Sequence, residues 1–365
     1  MKTVFLILIV TILLLIVSTI IYIIKRYMNL SFIKNIDNKY ISIPLKLLPI
    51  IILIIFAYLD MINTIVVVLH IFLFLILIDL ILLIIKKISK KAINSNASFI
   101  ITIFLVLFYL LWGYHLAHHV VQTNYSISTT KNIGMDRFRI VQISDSHVGA
   151  TMDGNDFLKY MEKVNKTKPD IVVVTGDFVD DDTSAKDMIK SCEGLGNIKT
   201  KYGVYFIYGN HDKGYSNSRD FDNEDLKKEL KKNNVTILED EIFDVTNNIV
   251  LVGRQDALTT KRMPINSLTK NIDKNKYIIT LDHEPNDYEN EATADVDLVL
   301  SGHTHGGQLI PIGPVGVMIG ANDKTYGLEK RNKTTFIVSS GIGDWAIKFK
   351  TGTISEYVVI DIKTK

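Results

Sequence analysis

Apolar and polar positions alternate in two textures along this chain, and the change comes near residue 130. From Val4 to Ile24 no residue is charged, and about 20 apolar residues are what a helix rising 1.5 Å per residue needs to cross hydrocarbon. A secretory leader fits less well, because its apolar core of about 7 to 15 residues ends at small residues, whereas Tyr27, Met28 and Asn29 follow here. The block from 43 to 85 is too long for one span, and Asp60 with Asn63 breaks it into a helical hairpin. A last apolar run from Ser98 to His115 carries Trp112 and Tyr114 where amphipathic rings favour the interface. The pattern predicts an all-α module over residues 1–120, with four transmembrane helices at about 4–24, 43–59, 62–85 and 98–117, then a linker over 121–134.

From Arg137 onward, short β-branched runs end in Gly, Asp, Asn and Ser and alternate with amphipathic helical stretches, which is the pattern of an α/β domain over 135–365. Phe138–Ser144, Ile171–Thr175, Val204–Tyr208, Ile249–Val252, Tyr277–Leu281, Asp297–Ser301, Thr335–Ser339 and Ile354–Ile362 read as strands, and Leu226–Lys232 as helix.

Charge separates the same two parts. Ten of the 41 Lys and Arg and three of the 39 Asp and Glu precede residue 130, so the first third carries about +7 and the remainder about −5. An acidic soluble part lacks the basic face that nucleic acid requires. One cysteine excludes an internal disulfide framework. Lys25, Arg26, Lys34, Lys39 and Lys46 crowd the first connection and Lys86, Lys87, Lys90 and Lys91 the third, while the hairpin tip offers Asp60. Cations near span ends stay on the cytoplasmic side, so four spans place the N-terminus and everything after residue 120 outside the cytoplasm of a multi-pass cell-membrane protein. Within the spans, Asp79 is expected to reach the basic edge at Lys86 and Lys87 and His70 to pack in the bundle; His115, His118 and His119 read as interfacial residues.

Candidate chemistry collects at strand ends. After the first strand comes Asp145-Ser146-His147, after the second Gly176-Asp177-Phe178-Val179-Asp180, after the third Gly209-Asn210-His211-Asp212. Later strands end in Asp282-His283-Glu284 and Gly302-His303-Thr304-His305. Every one of the five histidines outside the membrane module lies in these loops. Hard oxygens mixed with imidazoles suit Mn, Fe or Zn rather than thiolate-bound structural zinc. One ion would leave ligands spare; two ions about 3.5 to 4 Å apart use them all and can clamp a phosphoryl group. Glycines before Asp177, Asn210 and His303 allow sharp turns and close backbone approach.

These blocks, in this order, resemble the calcineurin-like metallophosphoesterase superfamily, whose pattern is D-x-H, G-D-x-x-D, G-N-H-[DE], an isolated His and G-H-x-H. The resemblance covers most of residues 138–310, and the Ser301–Gln308 version together with Gly253-Arg254-Gln255-Asp256 is similar to a bacterial membrane-anchored branch. It implies a four-layer, α+β-like sandwich of two mixed sheets flanked by helices. It also implies that Asp145, His147, Asp177 and His305 hold one divalent ion while Asp177, Asn210, His283 and His303 hold the other. By the same resemblance His211 stands beside the leaving oxygen, Asp180 accepts its other N–H, and Asp212 lies one layer out. Asp282 and Glu284 read either as supports of His283 or as solvent-facing neighbours. Related anchored enzymes carry a Pro and an Arg where this chain has Ala346 and Lys348.

The implied reaction is in-line attack on a phosphodiester or phosphomonoester by hydroxide bridging two metal ions, Mn foremost, on an envelope or lipid-linked substrate at the bilayer. A pyrophosphatase acting on a nucleotide-linked glycolipid is the nearest alternative. A nonenzymatic membrane scaffold or metal sensor is the alternative from another class.

Overall fold

The computed structural model describes the chain apart from Met1, residues 91–94, residues 216–217 and Thr260, and describes only the backbone of residues 2–13 and Ser95. The chain divides into two compact units, Met1–Trp112 and Gly113–Lys365.

The first unit is helical: α1 (Lys2–Met28), α2 (Ser31–Lys34), α3 (Lys39–Leu59), α4 (Met61–Ser89) and the start of α5 (Ser95–His118). Lys39–Leu59, Met61–Ser89 and Asn96–His118 are long and apolar enough to cross a membrane. The span expected over 4–24 falls in α1, but its side chains from 4 to 13 lie outside the described residues, as does Lys91. Among the described residues three helices are of membrane length and apolar, and the span expected over 4–24 lies within α1, whose first half is described only as backbone. Asp60 does break the long apolar block. Its extended backbone ends α3, and its carboxylate accepts the Asn63 N–H at 3.1 Å to cap α4. Asp79 pairs with Arg26 at 2.9 Å and accepts from the Tyr22 hydroxyl at 2.9 Å instead of reaching Lys86, which lies seven residues, or about 10 Å, along the helix. His70 packs against Tyr109 and bonds through Nδ1 to the Val66 carbonyl at 2.7 Å.

The second unit holds two six-stranded mixed sheets. Its strands are β1 (Val121–Thr129), β2 (Arg137–Ile143), β3 (Ile171–Thr175), β4 (Val204–Ile207), β5 (Val235–Ile237), β6 (Glu241–Asp244), β7 (Ile249–Gly253), β8 (Tyr277–Leu281), β9 (Leu298–Ser301), β10 (Gly327–Arg331), β11 (Thr334–Val338) and β12 (Glu356–Thr364). The order is β1-β12-β2-β3-β4-β5 in one sheet and β10-β11-β9-β8-β7-β6 in the other. The helices are α6 (Gly154–Lys166), α7 (Ala185–Gly196), α8 (Asn223–Lys232), α9 (Ile265–Leu268), α10 (Tyr288–Thr293) and α11 (Val315–Met318).

Side chains in a strand alternate between faces, and each apolar run here serves two cores. Ile140, Ile171 and Val173 face a core shared with Leu251, Ile279, Leu281 and Leu300 of the other sheet. Their neighbours Val141, Val172 and Val174 pack against Phe157, Met161 and Leu195 of α6 and α7. Val250, Ile278 and Val299 meet Ile265 and Tyr288 of α9 and α10 on the outer face of the second sheet. Strands buried on both faces read as unbroken β-branched runs, so Ile171–Thr175 is legible from sequence. The result is the expected four-layer sandwich. The segment expected as a linker contains β1, which pairs in parallel with β12. Its polar composition and alternating exposure are those of an edge strand.

Candidate metal centre

Six strands direct their carboxyl ends toward loops that share hydrogen bonds across the two sheets: β2, β3 and β4 in one, β8, β9 and β11 in the other. Gln142 donates to the Ser301 carbonyl at 2.8 Å, and the His303 N–H donates to Asp145 Oδ1 at 2.8 Å. Ligands collect at such ends in open α/β sheets. The loops adopt backbone that ordinary residues avoid: φ is 51° at Asp145, 37° at His147, 53° at Asp177, 69° at His303 and 48° at His305. Left-handed backbone costs an L-residue about 1–2 kcal/mol, so five instances in one place mark side chains held where backbone preference would not put them. Two glycines make room. Gly176 has φ 88° and lies against the His283 ring, and a Cβ at Gly302 would overlap Ser144 Oγ and Asp145 Oδ2.

The structure brings together all seven residues expected as ligands. Donor atoms of Asp145, His147 and His305 lie within 4.8 Å of one another, and so do those of Asp177, His283 and His303. Asn210 joins the second group, its Oδ1 3.2 Å from His283 Nε2 and 3.0 Å from His303 Nδ1. The Asn210 amide nitrogen donates to the Tyr215 hydroxyl at 2.6 Å, which turns the oxygen inward. Asp177 links the groups, since its Oδ2 is 3.1 Å from His283 Nε2 and 3.5 Å from His147 Nε2.

Hydrogen bonds behind the histidines fix which nitrogen faces inward. The Nδ1 of His283 meets the Thr175 carbonyl at 2.8 Å, that of His147 meets Asp180 Oδ2 at 3.0 Å, and that of His305 meets Asp344 Oδ1 at 3.0 Å. Each acceptor claims the ring proton, so each neutral ring presents its Nε2 lone pair toward a carboxylate. Asp145 Oδ2 and His147 Nε2 are buried without any hydrogen-bond partner. Lone pairs converging on lone pairs in a buried site require a cation between them. Carbonyl- and carboxylate-backed imidazoles are also how metal-ligating histidines are normally oriented.

Charge responds accordingly. Burial opposes ionisation of Asp177, but His283, His147 and His211 override it and hold the carboxyl far below its usual range. Burial opposes a charge on His283 too, yet the facing Asp177 raises it well above an ordinary histidine, a proton taking the place of a cation. Burial and the nearby His283 push His303 down to about 4.

His211 and Asp180 sit at the mouth, 16% and 15% exposed at the side chain. Asp180 accepts from His211 Nδ1 at 3.1 Å through the oxygen not used by His147. Burial works against His211 protonation, but the Asp180 hydrogen bond prevails and raises its pKa. Tyr215 and Trp345 flank the ring at 5.1 and 5.6 Å between centroids. Behind the site, the Asp212 carboxylate accepts four backbone N–H groups, from Asp177, Phe178, Val179 and Gly209, at 2.7–3.1 Å. Asp282 and Glu284 are buried, and neither faces solvent. Asp282 pairs with Arg254 at 2.7 Å and also with Arg262. Among the described residues, every group of His, Cys, Asp and Glu able to hold a metal lies in these loops, and His115, His118 and His119 form none.

Sequence reasoning missed Asp344 and Lys350. Asp344 follows a strand end as the motif loops do, but it belongs to no motif and its partner His305 lies 39 residues away in the chain.

Comparison with known proteins agrees with this geometry. The family model for calcineurin-like phosphoesterases matches residues 138–307. An uncharacterized metallophosphoesterase of Aquifex aeolicus is 32% identical over 269 residues, covering 70% of this chain and 97% of that protein. One of Campylobacter jejuni is also 32% identical, over 62% of this chain and 59% of its own length. A transmembrane protein with a metallophosphoesterase domain from Bos taurus is 28% identical over 61% of this chain and 52% of its own. This chain thus spans little more than half of those last two relatives. Strand-end ligand loops on a two-sheet sandwich, matched over the segment that carries them, place the chain in the calcineurin-like metallophosphoesterase superfamily.

Proposed function

We propose that the chain is a membrane-anchored, dinuclear metal-dependent phosphoesterase. The observation that carries this reading is the set of three imidazoles whose Nδ1 is engaged from behind and whose Nε2 faces a carboxylate. Asp145, His147, Asp177 and His305 would hold one ion and Asp177, Asn210, His283 and His303 the other, with Mn best suited to this mixed set and Fe or Zn as alternatives. Two such ions, when bound, supply phosphoryl polarisation and an activated water. His211, partly exposed at the mouth and held through Nδ1 by Asp180, keeps a proton at Nε2 for the leaving oxygen. Asp180 thereby serves both the acid and the ligand His147.

The substrate is a phosphodiester or phosphomonoester in or near the envelope lipid. Three membrane-length helices support this, and so does an uncharged segment after His305 that leaves Ile310, Ile312, Met318 and Ile319 between 53% and 80% exposed. Basic residues crowded at Lys25–Lys46 and Lys86–Lys90, against Asp60 at the hairpin tip, favour a catalytic unit outside the cytoplasm.

The test is turnover by the full chain in detergent, stripped of metal and refilled with Mn, on a chromogenic diester, a chromogenic monoester and phospholipid in mixed micelles. Mn-dependent release from at least one is expected. Silence on all three with metal bound would overturn the reading.

A further inference from the structure

His147, His211 and His303 meet partners that the ligand motifs themselves supply, and His283 meets the Thr175 carbonyl just before one, but His305 leans on a side chain outside every motif. Its Nδ1 is 3.0 Å from Asp344 Oδ1. Asp344 lies in the loop after β11, is fully buried, and donates its own N–H to Thr151 Oγ1 at 3.1 Å. A buried carboxylate needs a counter-charge, and Lys350, also fully buried, provides one with Nζ 3.1 Å from the same oxygen. The remaining ammonium hydrogens go to the Ser340 carbonyl at 2.7 Å and Ser355 Oγ at 3.3 Å. An ammonium has three donors and no acceptor, so Lys350 is saturated. Its backbone is fixed as well, because Lys350 N donates to the Gly113 carbonyl at 2.9 Å while Ser355 Oγ donates to the Ala117 carbonyl at 2.8 Å. With no exposure and no spare proton, Lys350 cannot meet substrate.

We propose that Asp344, locked by Lys350, is the positioning residue that sets the tautomer and ring direction of His305, and so tunes one of the two metal positions and not the other. The proposal rests on the dinuclear reading above. Asp344 holds the ring proton on Nδ1, which leaves Nε2 as the lone pair directed to the side where Asp145 Oδ1 stands, 3.8 Å away. The other group draws its orientation from the Thr175 carbonyl and Asn210, so it is independent of Asp344.

The experiment is Mn titration of the full chain in detergent, read by electron paramagnetic resonance, for the wild type, Asp344→Asn and the double variant Asp344→Asn with Lys350→Met. The double variant removes both buried charges together and keeps the test open should the single one fold poorly. A metal-free readout runs beside it: histidine 15N shifts, with His305 assigned by His305→Gln. Loss of an outer hydrogen-bond partner weakens metal binding about 10–100-fold, so one Mn should weaken by that factor in both variants while the second keeps its affinity. The His305 ring in the metal-free variants should shift from a single Nδ1–H form to a mixture. Two Mn bound by the wild type with both affinities unchanged in folded variants sinks the positioning role alone. Equal weakening of both ions marks a general structural role and overturns it too, and a wild type that binds no Mn overturns it along with the dinuclear reading.

Discussion

His283 Nε2 lies 3.2 Å from Asn210 Oδ1, with the Nδ1 of the same ring already given to the Thr175 carbonyl. A neutral ring so arranged opposes one lone pair to another, and a divalent ion converts that repulsion into two bonds. Metal should therefore stabilise the folded chain. At 100 times its dissociation constant a ligand that binds only the folded state adds about 2.7 kcal/mol. Thermal unfolding of the stripped chain is expected to shift upward on Mn addition, and an unchanged midpoint would count against a formed site.

Separating the acid from the ligands is possible at His211, which stands at the mouth with Asp180 behind it. His211→Asn should lower kcat by about 10²–10⁴ with two metal ions still bound, as read by metal analysis of the purified variant. Loss of a metal ion in His211→Asn would assign that side chain to the ligand set instead.

Close approach across the sheets is tested at Gly302. A Cβ there meets Ser144 Oγ and Asp145 Oδ2, and overpacking of this kind costs about 1–3 kcal/mol. Gly302→Ala should unfold at lower denaturant and bind metal more weakly; equal stability would show that the loops can part without loss.

Away from the site, Arg139 grips Asp361 with Nε on Oδ1 at 2.7 Å and a terminal nitrogen on Oδ2 at 2.8 Å, joining β2 to β12. The Arg139 hydrogen bond holds the Asp361 carboxyl below its ordinary value, against a smaller opposing effect of burial. A depressed folded pKa gives stability that is present above the unfolded value of about 3.9 and lost as pH falls through the folded one. Asp361→Asn should destabilise the chain at neutral pH by about 1.5–3 kcal/mol and flatten that part of the acid limb. An acid limb identical in the variant would remove Asp361 from the account.

What could be read from sequence follows the physics of burial. Ile171–Thr175 and Tyr277–Leu281 are apolar on both faces because each separates two cores, and their limits match the expected ones residue for residue. β6 is four residues long with only Ile242 and Phe243 apolar, both exposed, and β10 reads Gly-Leu-Glu-Lys-Arg, so neither edge strand carries a run long enough to mark it. The ligand loops were legible because metal chemistry restricts residue type, and glycine marks where backbones touch. Asp344 was not, since its partnership with His305 depends on β9 and β11 lying side by side, 39 residues apart in the chain. Lys350 gave no sign at all, because a lysine is ordinarily solvated and only the fold shows this one enclosed.

In the proposed dinuclear site Asp177 would serve both metal positions at once, from its place between His283 and His147. The direct test counts metal ions per chain in purified wild type and Asp177→Asn after refilling with Mn, with turnover recorded on the same samples. Two ions and hydrolysis are expected in the wild type, and loss of both in the variant. Two ions and undiminished turnover in Asp177→Asn would contradict that shared role.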